Sequence, residues 1–176
     1  MTVGEMHVIP VHEQTVPLGA GQTTKIRTLM LQNRAEPFIS MRELIQVHYE
    51  GWPDFGTPAQ ATTIVALIKL INEIISQRGR AKTAPIVVHC SAGCGRTGTF
   101  CTVDGVISSI DQGLAGEDED LVYRSVLQLR EERMSLVQTL RQYVLCYECV
   151  LHHLISKVVE EEVERPLVGL NQGVHV

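Results

Sequence analysis

The decapeptide HCSAGCGRTG occupies residues 89–98 and determines how the rest of the chain is interpreted. It follows the apolar run Pro85–Val88, which predicts a short buried strand, and it precedes residues 99–110, which have the pattern of a helix. In such a turn, successive backbone N–H groups can point at one anion, and the helix N-terminus adds positive potential. The sequence therefore predicts an anion-binding loop at a strand-to-helix junction.

Two residues of this loop carry reactive chemistry. The dipoles that bind an anion also stabilise a thiolate, so we expect Cys90 to ionise easily. Arg96 lies within reach of the same loop and can bind a planar set of oxygens through two parallel hydrogen bonds. Thiolate, amides and guanidinium together predict nucleophilic attack on a phosphoryl group. The alternative is a structural cysteine in an ordinary turn, which the glycines and small residues between Cys90 and Arg96 disfavour.

Length and composition narrow the class of protein. The chain has 176 residues, 44% of them hydrophobic, which fits one globular domain. A net charge of −5 disfavours a general nucleic-acid-binding protein. No apolar run is long enough to cross a membrane, and residues 1–14 lack the pattern of a signal peptide. Five cysteines, an odd number, favour reduced thiols and a cytoplasmic location. The oligomeric state is left open.

Periodicity predicts an α/β (α+β) fold, a mixed sheet flanked by helices. Alternating residues predict strands at 6–11, 24–31 and 43–49, the last two forming an antiparallel hairpin. Four helices are expected. In the first, Thr57 is the expected N-cap, Pro58 the first helical residue, and Gln60 completes a capping box with Thr57. The second is expected at residues 99–110. The third follows the acidic residues 117–120, and the last spans 139–157 with Val144, Tyr147, Leu151 and Leu154 facing inward.

A Cys-x-x-Cys spacing occurs at Cys146 and Cys149, inside the last predicted helix. His152 and His153 follow it, so a metal site is conceivable. No second pair has zinc-like spacing, and we therefore interpret the thiols as packed and the histidines as solvated.

A phosphoryl-transfer reaction needs a proton donor for the leaving oxygen, and Asp54 is the candidate. It lies on a loop rich in glycine and proline, residues 51–58, which suits a moving flap. A turn aspartate is the plainer interpretation. A third string, QTLRQY at residues 138–143, places Gln138 and Gln142 on one helical face, where their amides could hold a hydrolytic water. A polar helix start is the alternative.

The three strings, in this order, resemble the catalytic domain of the tyrosine-specific, cysteine-based protein-tyrosine phosphatases. Residues 89–98 resemble the family's phosphate-binding loop, Trp52-Pro53-Asp54 its mobile acid loop, and residues 138–143 its glutamine loop. The resemblance is clear from about Thr24 to Ser156. It implies a partial catalytic domain at residues 1–158, followed by a flexible tail at residues 159–176.

The resemblance implies a role for each matching residue. Cys90 would be the nucleophile, Asp54 the acid and then the base, and Gln138 the residue that positions water, with Gln142 helping on the substrate side. Phosphate would be bound by Arg96 and the backbone amides of Ser91, Ala92, Gly93, Cys94, Gly95 and Arg96. Supporting roles would fall to His89 and Thr97 at the thiolate, Trp52 as a hinge, Phe55 against the substrate ring, and Arg133 in loop closure. No cofactor or metal is implied, and the partners would be phosphotyrosyl proteins.

Two departures from the family pattern leave alternatives open. Residues 1–23 contain no equivalent of the family's phosphotyrosine-recognition loop or of its acidic loop, and Ser135 stands where the family often has glycine. The alternatives are a catalytically impaired phosphotyrosine-binding pseudophosphatase or fragment, and a dual-specificity phosphatase. A phosphoinositide phosphatase is disfavoured because the loop carries no additional basic residue.

Overall fold

The computed structural model describes residues 2–36, 38–78, 85–114, 116 and 119–164. In these residues a four-stranded antiparallel sheet comes first and four helices follow. The strands are β1 (Thr2–Val3), β2 (Met6–Gly19), β3 (Gln22–Asn33) and β4 (Arg42–His48), arranged in sequence order. The helices are α1 (Ala61–Gln77), α2 (Gly95–Asp111), α3 (Leu121–Glu132) and α4 (Leu140–Glu164). The mixed sheet-and-helix class predicted from the sequence is confirmed.

The sheet is built from long hairpins. β3 pairs with β4 as the alternation predicted, with Ile26 opposite Val47. β2 extends beyond the strand predicted at 6–11 and contains two prolines, Pro10 and Pro17, which cannot donate hydrogen bonds to a neighbouring strand. The register of β2 against β3 shifts next to each of them, between Pro10 and His12 and between Pro17 and Gly19. The bulges therefore let the strand extend past the prolines without losing its pairing.

The helices form the main core, in which α1, α2 and α4 pack together. Ile64 of α1 and Val103 of α2 are fully buried, as their periodicity predicted, and Leu145 of α4 contacts the same cluster. Asp120 links α3 to this core. One of its carboxylate oxygens accepts the Tyr123 N–H at 2.9 Å as the N-cap, and the other accepts the Tyr147 hydroxyl of α4 at 2.8 Å.

The predicted buried strand at Pro85–Val88 is wrong for this structure. The run has no strand pairing among the described residues, and Ile86 and Val87 are 53% and 83% exposed. An apolar extended segment becomes a strand only where a neighbour supplies backbone partners. The described sheet is formed by strands within residues 2–48, and none of them pairs with this run.

The predicted start of the first helix is also wrong. Residues 57–60 are not helical, α1 begins at Ala61, and its N-cap Gln60 makes no side-chain capping bond. Pro58 is buried, so it packs against the interior instead of opening the helix.

The inward face of α4 differs from the one predicted. Val144, Leu151 and Leu154 are 46%, 58% and 40% exposed, whereas Tyr147 is partly buried as expected. The buried positions of the helix are instead Gln142, Leu145, Cys146, Cys149, Val150 and His153. Two of these are polar and hydrogen-bonded, so hydrophobic periodicity alone pointed to the wrong side.

Of the two histidines expected to be solvated, His153 is one of those buried residues, whereas His152 is partly exposed. His153 Nε2 lies 2.9 Å from an Asp111 oxygen that also accepts from Lys157. Burial raises the pKa of both the Cys146 and the Cys149 thiol to about 12, as expected for packed thiols. Within the described ranges, no group of His, Cys, Asp and Glu side chains is arranged to hold a metal ion.

The C-terminal helix continues through Glu164 and so includes the first part of the predicted tail, whose remaining residues 165–176 lie outside the described part. Two of the acidic residues predicted to open the third helix, 117 and 118, also lie outside it. None of the described helices is both long and apolar enough to span a membrane.

Candidate active site

The loop after residue 88 wraps around the Cys90 thiol. The backbone N–H of Gly93 donates to Cys90 Sγ at 3.2 Å. Burial alone raises the pKa of this thiol, but hydrogen bonds from the Thr97 hydroxyl and from the N–H groups of Thr97, Cys94 and Gly93 outweigh burial and lower the pKa to about 7. The Thr97 hydroxyl lies outside ordinary hydrogen-bond geometry with any partner in the described structure, so its contact with sulfur is a loose one. Cys90 therefore ionises more readily near neutral pH than a free cysteine does.

The helix that begins inside this loop adds to the same effect. α2 starts at Gly95, five residues after the thiol and earlier than the sequence predicted. The first N–H groups of a helix have no partner within it, and they carry the positive end of its dipole. The loop and the helix start therefore form one site of positive potential around Cys90 Sγ.

Arg96 connects this loop to the loop that carries Asp54. Its Nη1 donates to the Trp52 carbonyl at 2.8 Å, and its Nη2 donates to Ser91 Oγ at 2.8 Å and to the Asp54 carboxylate. Ser91 Oγ in turn donates to the same Asp54 oxygen at 2.8 Å. The acid loop is therefore closed over the cysteine loop, and a carboxylate lies against the guanidinium that would bind an anion.

The cavity between the two loops is correspondingly small. It measures about 20 Å³, which is room for about one water molecule. Its lining consists of Asp54, Phe55, Cys90, Ser91, Ala92, Gly95, Arg96, Gln138 and Gln142. All of these were named from the sequence as site residues. A phosphoryl group can enter only if the Asp54 carboxylate moves away from Arg96.

The buried Gln142 side chain hydrogen-bonds to the backbone of the glutamine loop, residues 138–143. Its side chain is fully buried, and its Oε1 accepts the N–H groups of Gln138 at 3.0 Å and of Thr139 at 3.2 Å. Its Nε2 donates to the Gly56 carbonyl of the acid loop at 3.4 Å. A Cβ on Gly95 would lie 2.8 Å from Gln142 Oε1, so glycine is needed for this approach. One amide thus contacts three loops of the site.

The remaining candidates lie around this centre. Trp52 is buried, and its Nε1 donates to the Gly56 carbonyl at 3.0 Å, which ties the two sides of the acid loop together. Arg133 Nη2 donates to the Ala92 carbonyl at 3.1 Å and so reaches the cysteine loop directly. His89 Nδ1 lies 3.4 Å from the Cys90 carbonyl. Phe55 is 67% exposed at the mouth of the cavity.

Comparison with known proteins identifies the family of this chain. Residues 1–152 match the family model described as protein-tyrosine phosphatase. The chain belongs to the protein-tyrosine phosphatase family. Human receptor-type tyrosine-protein phosphatase alpha is 35% identical to it over 130 residues, which is 73% of this chain and 15% of that protein. A rat protein named phosphatidylinositol phosphatase PTPRQ is 39% identical over 113 residues, 64% of this chain and 4% of that protein.

The fold is that of phosphatase catalytic domains. The crystal structure of the catalytic domain of human protein tyrosine phosphatase non-receptor type 18 superposes with a TM-score of 0.67 at 28% identity. The superposition covers 86% of this chain and 50% of that one. This phosphatase-family chain therefore spans about half the length of a solved catalytic domain and a smaller share of its curated relatives.

Sequence reasoning missed one polar residue next to the site of this phosphatase-family chain. Arg130, for which the sequence predicted no role at the site, donates from Nε to the Leu136 carbonyl at 2.9 Å and from Nη2 to the Val137 carbonyl at 2.8 Å. Its partners are backbone atoms, which no residue pattern reveals. The sequence offered one hint of this role, because Arg130 lies a few residues before the segment that leads to Gln138.

The lowered pKa of Cys90 predicts its reactivity. The rate of Cys90 alkylation by iodoacetamide should rise with pH around a midpoint of about 7, because only the thiolate reacts. Thr97→Val removes the hydroxyl that favours the thiolate and should move the midpoint upward. Mass mapping of the alkylated peptide, with Cys90→Ser as the control, identifies the reacting thiol. A wild-type midpoint near that of a free cysteine, about 8.5, would contradict the assignment.

The contact between Asp54 and Arg96 predicts competition with anions. Asp54→Asn removes the negative charge from Arg96, so inorganic phosphate should bind about two- to fivefold more tightly, the scale of an exposed ion pair. Titration calorimetry of the phosphatase-family chain measures this affinity. Glu131→Gln, which removes one negative charge on the exposed side of α3, is the matched control and should leave the affinity unchanged. Equal affinity in wild type and Asp54→Asn would show that the carboxylate does not compete.

Proposed function

We propose that this chain hydrolyses phosphotyrosine in proteins through a phosphocysteine intermediate. The observation that carries the proposal is the meeting of Cys90, Arg96 and Asp54 around one small cavity, although Asp54 comes from a loop distant in sequence. Thiolate, guanidinium and carboxyl group are the nucleophile, the anion-binding group and the proton carrier that a two-step phosphate transfer requires.

In the first step the Cys90 thiolate attacks phosphorus, and the bond from phosphorus to the tyrosine oxygen breaks. Arg96 and the N–H groups of the cysteine loop bind the phosphoryl oxygens, where negative charge accumulates in the transition state. Asp54, released from Arg96 and protonated, gives its proton to the departing phenolate. The products of this step are tyrosine and phosphocysteine.

In the second step a water molecule attacks phosphorus opposite the sulfur. The Gln138 side chain orients this water, and the Asp54 carboxylate takes its proton, so the acid of the first step is regenerated. The phosphorus–sulfur bond breaks, and the thiolate leaves with the loop N–H groups and the Thr97 hydroxyl as hydrogen-bond donors. Inorganic phosphate is released, and the starting state is restored.

Two further residues fit this scheme. Phe55 is exposed at the mouth of the cavity, where an aromatic ring can stack on the tyrosine ring of a substrate. Gln142 has its amide oxygen bound to two backbone N–H groups. Its part is therefore to hold Gln138 and the acid loop in place rather than to bind the substrate.

Hydrolysis assays test the proposal. Wild type should hydrolyse p-nitrophenyl phosphate and a phosphotyrosyl peptide, and Cys90→Ser should abolish both activities. Asp54→Ala should slow turnover by about 10²–10⁴-fold, the usual contribution of a general acid. Cys101→Ser, in the adjoining helix, and Glu131→Gln are the matched cysteine and carboxylate controls.

The choice of substrates distinguishes the alternatives. A phosphoseryl peptide tests dual specificity, and a soluble phosphoinositide tests the activity that the name of the rat relative suggests. Binding of the phosphotyrosyl peptide without turnover by wild type would contradict the enzymatic proposal and favour a phosphotyrosine-binding protein.

A further inference from the structure

The segment that leads into Gln138 has an unusual backbone. Ser135 and Val137 have φ values of 64° and 57°, in the left-handed region. Val137 is β-branched, and its Cβ substituents clash with the backbone in this conformation, which makes it a rare one for valine. Such a conformation persists only where the surroundings hold it. Val137 immediately precedes the residue that would orient the hydrolytic water.

The Arg130 side chain helps to hold this backbone conformation through two hydrogen bonds. Its Nε donates to the Leu136 carbonyl at 2.9 Å, and its Nη2 donates to the Val137 carbonyl at 2.8 Å. The guanidinium donors are fixed in one plane, so two successive carbonyls bound by them cannot rotate independently. The side chain of Arg130 therefore fixes the orientation of both peptide groups in the turn.

Packing also contributes to holding the same turn, since Leu136 and Val137 are 7% and 1% exposed. On the α2 side, Gly98 approaches so closely that a Cβ on it would lie 2.5 Å from Val137 N. On the α3 side, the turn borders a cavity of about 310 Å³ that Arg130, Val137 and Gln138 help to line. Where the turn borders this cavity, the hydrogen bonds of Arg130 therefore add to the packing on the α2 side.

The peptide group between Val137 and Gln138 is held at both ends. Its carbonyl accepts from Arg130, and its N–H donates to Gln142 Oε1 at 3.0 Å. Because a peptide group is planar, these two bonds fix its plane and hence the direction in which the Gln138 side chain leaves the backbone. Both bonds are needed, since a single bond would leave the plane free to rotate about it.

We propose that Arg130 is a positioning residue for the second chemical step. It aims the Gln138 amide at the hydrolytic water by holding the Leu136 and Val137 carbonyls. This inference rests on the proposed function, because it assigns Gln138 to the hydrolysis of phosphocysteine. Arg130 touches neither the thiol nor the small cavity in the described structure, so the first step should not depend on it.

Two substitutions of Arg130 remove its hydrogen bonds to the Leu136 and Val137 carbonyls in different ways. Arg130→Lys keeps the charge but cannot donate to both carbonyls in one plane, and Arg130→Met keeps the length without donors. Arg124 offers the matched control, since it lies on the same helix and pairs with Glu119. Arg124→Lys and Arg124→Met make the same side-chain changes on α3 at a residue that does not contact residues 135–137.

Kinetics with p-nitrophenyl phosphate separate the two steps. In both Arg130 variants kcat should fall on the order of ten- to hundredfold, the cost of misplacing a reacting group. The ratio kcat/KM reports the steps through phosphocysteine formation and should stay within about twofold. Stopped-flow traces should show a burst of nitrophenol followed by slow turnover. Equal losses in kcat and kcat/KM, or the same changes in the Arg124 variants, would overturn the assignment.

Hydrogen exchange gives a readout that does not depend on turnover. The Gln138 and Thr139 N–H groups should exchange faster in Arg130→Met than in wild type, while the amides of α1 and α2 exchange as before. Unchanged exchange at Gln138 would overturn the proposal. If wild type has no turnover but exchange at Gln138 rises in Arg130→Met, the proposed function fails while the hold on the turn is supported.

Discussion

The contacts of the Arg96 guanidinium determine what the rest of the site can do. This one side chain binds the Trp52 carbonyl, the Ser91 hydroxyl and the Asp54 carboxylate, and it begins from the loop that surrounds Cys90. The closed acid loop therefore depends on the positive charge that, in the proposed function, also binds the substrate phosphate. In that proposal loop closure and anion binding share one group, so the carboxylate would give way when a phosphoryl group enters and would return to the reacting oxygen afterwards.

The site is positioned by buried helices that meet behind it. α2 begins in the cysteine loop, and α4 begins just after Gln138, so the packing of these helices sets the distance between nucleophile and glutamine loop. Gln142 at the start of α4 completes this arrangement through its bonds to Gln138, Thr139 and Gly56. A rigid scaffold with a buried polar contact of this kind holds loops more precisely than loop packing alone.

Much of this site could be predicted from the sequence because its chemistry is local. The loop at 89–98 contains the proposed nucleophile, the proposed anion-binding arginine and small residues within one turn, and the β3–β4 hairpin follows from simple alternation. Predictions failed where a residue's partner is distant. The run at 85–88 is apolar but has no described strand beside it. The buried face of α4 includes the hydrogen-bonded Gln142 and His153 and leaves the apolar Val144, Leu151 and Leu154 exposed. Arg130 acts on carbonyl groups, which have no signature in the sequence.

The proposed mechanism passes phosphate through the Cys90 sulfur. Its most direct test is to mix a phosphotyrosyl peptide with the Gln138→Ala variant, in which hydrolysis of the intermediate should be slow, and to denature the mixture rapidly. Peptide mapping by mass spectrometry then locates the phosphate on the protein. The mechanism predicts phosphate on the peptide that contains Cys90 and none in the Cys90→Ser protein. Tyrosine and phosphate released with no phosphorylated Cys90 peptide, or phosphate on another residue, would contradict it.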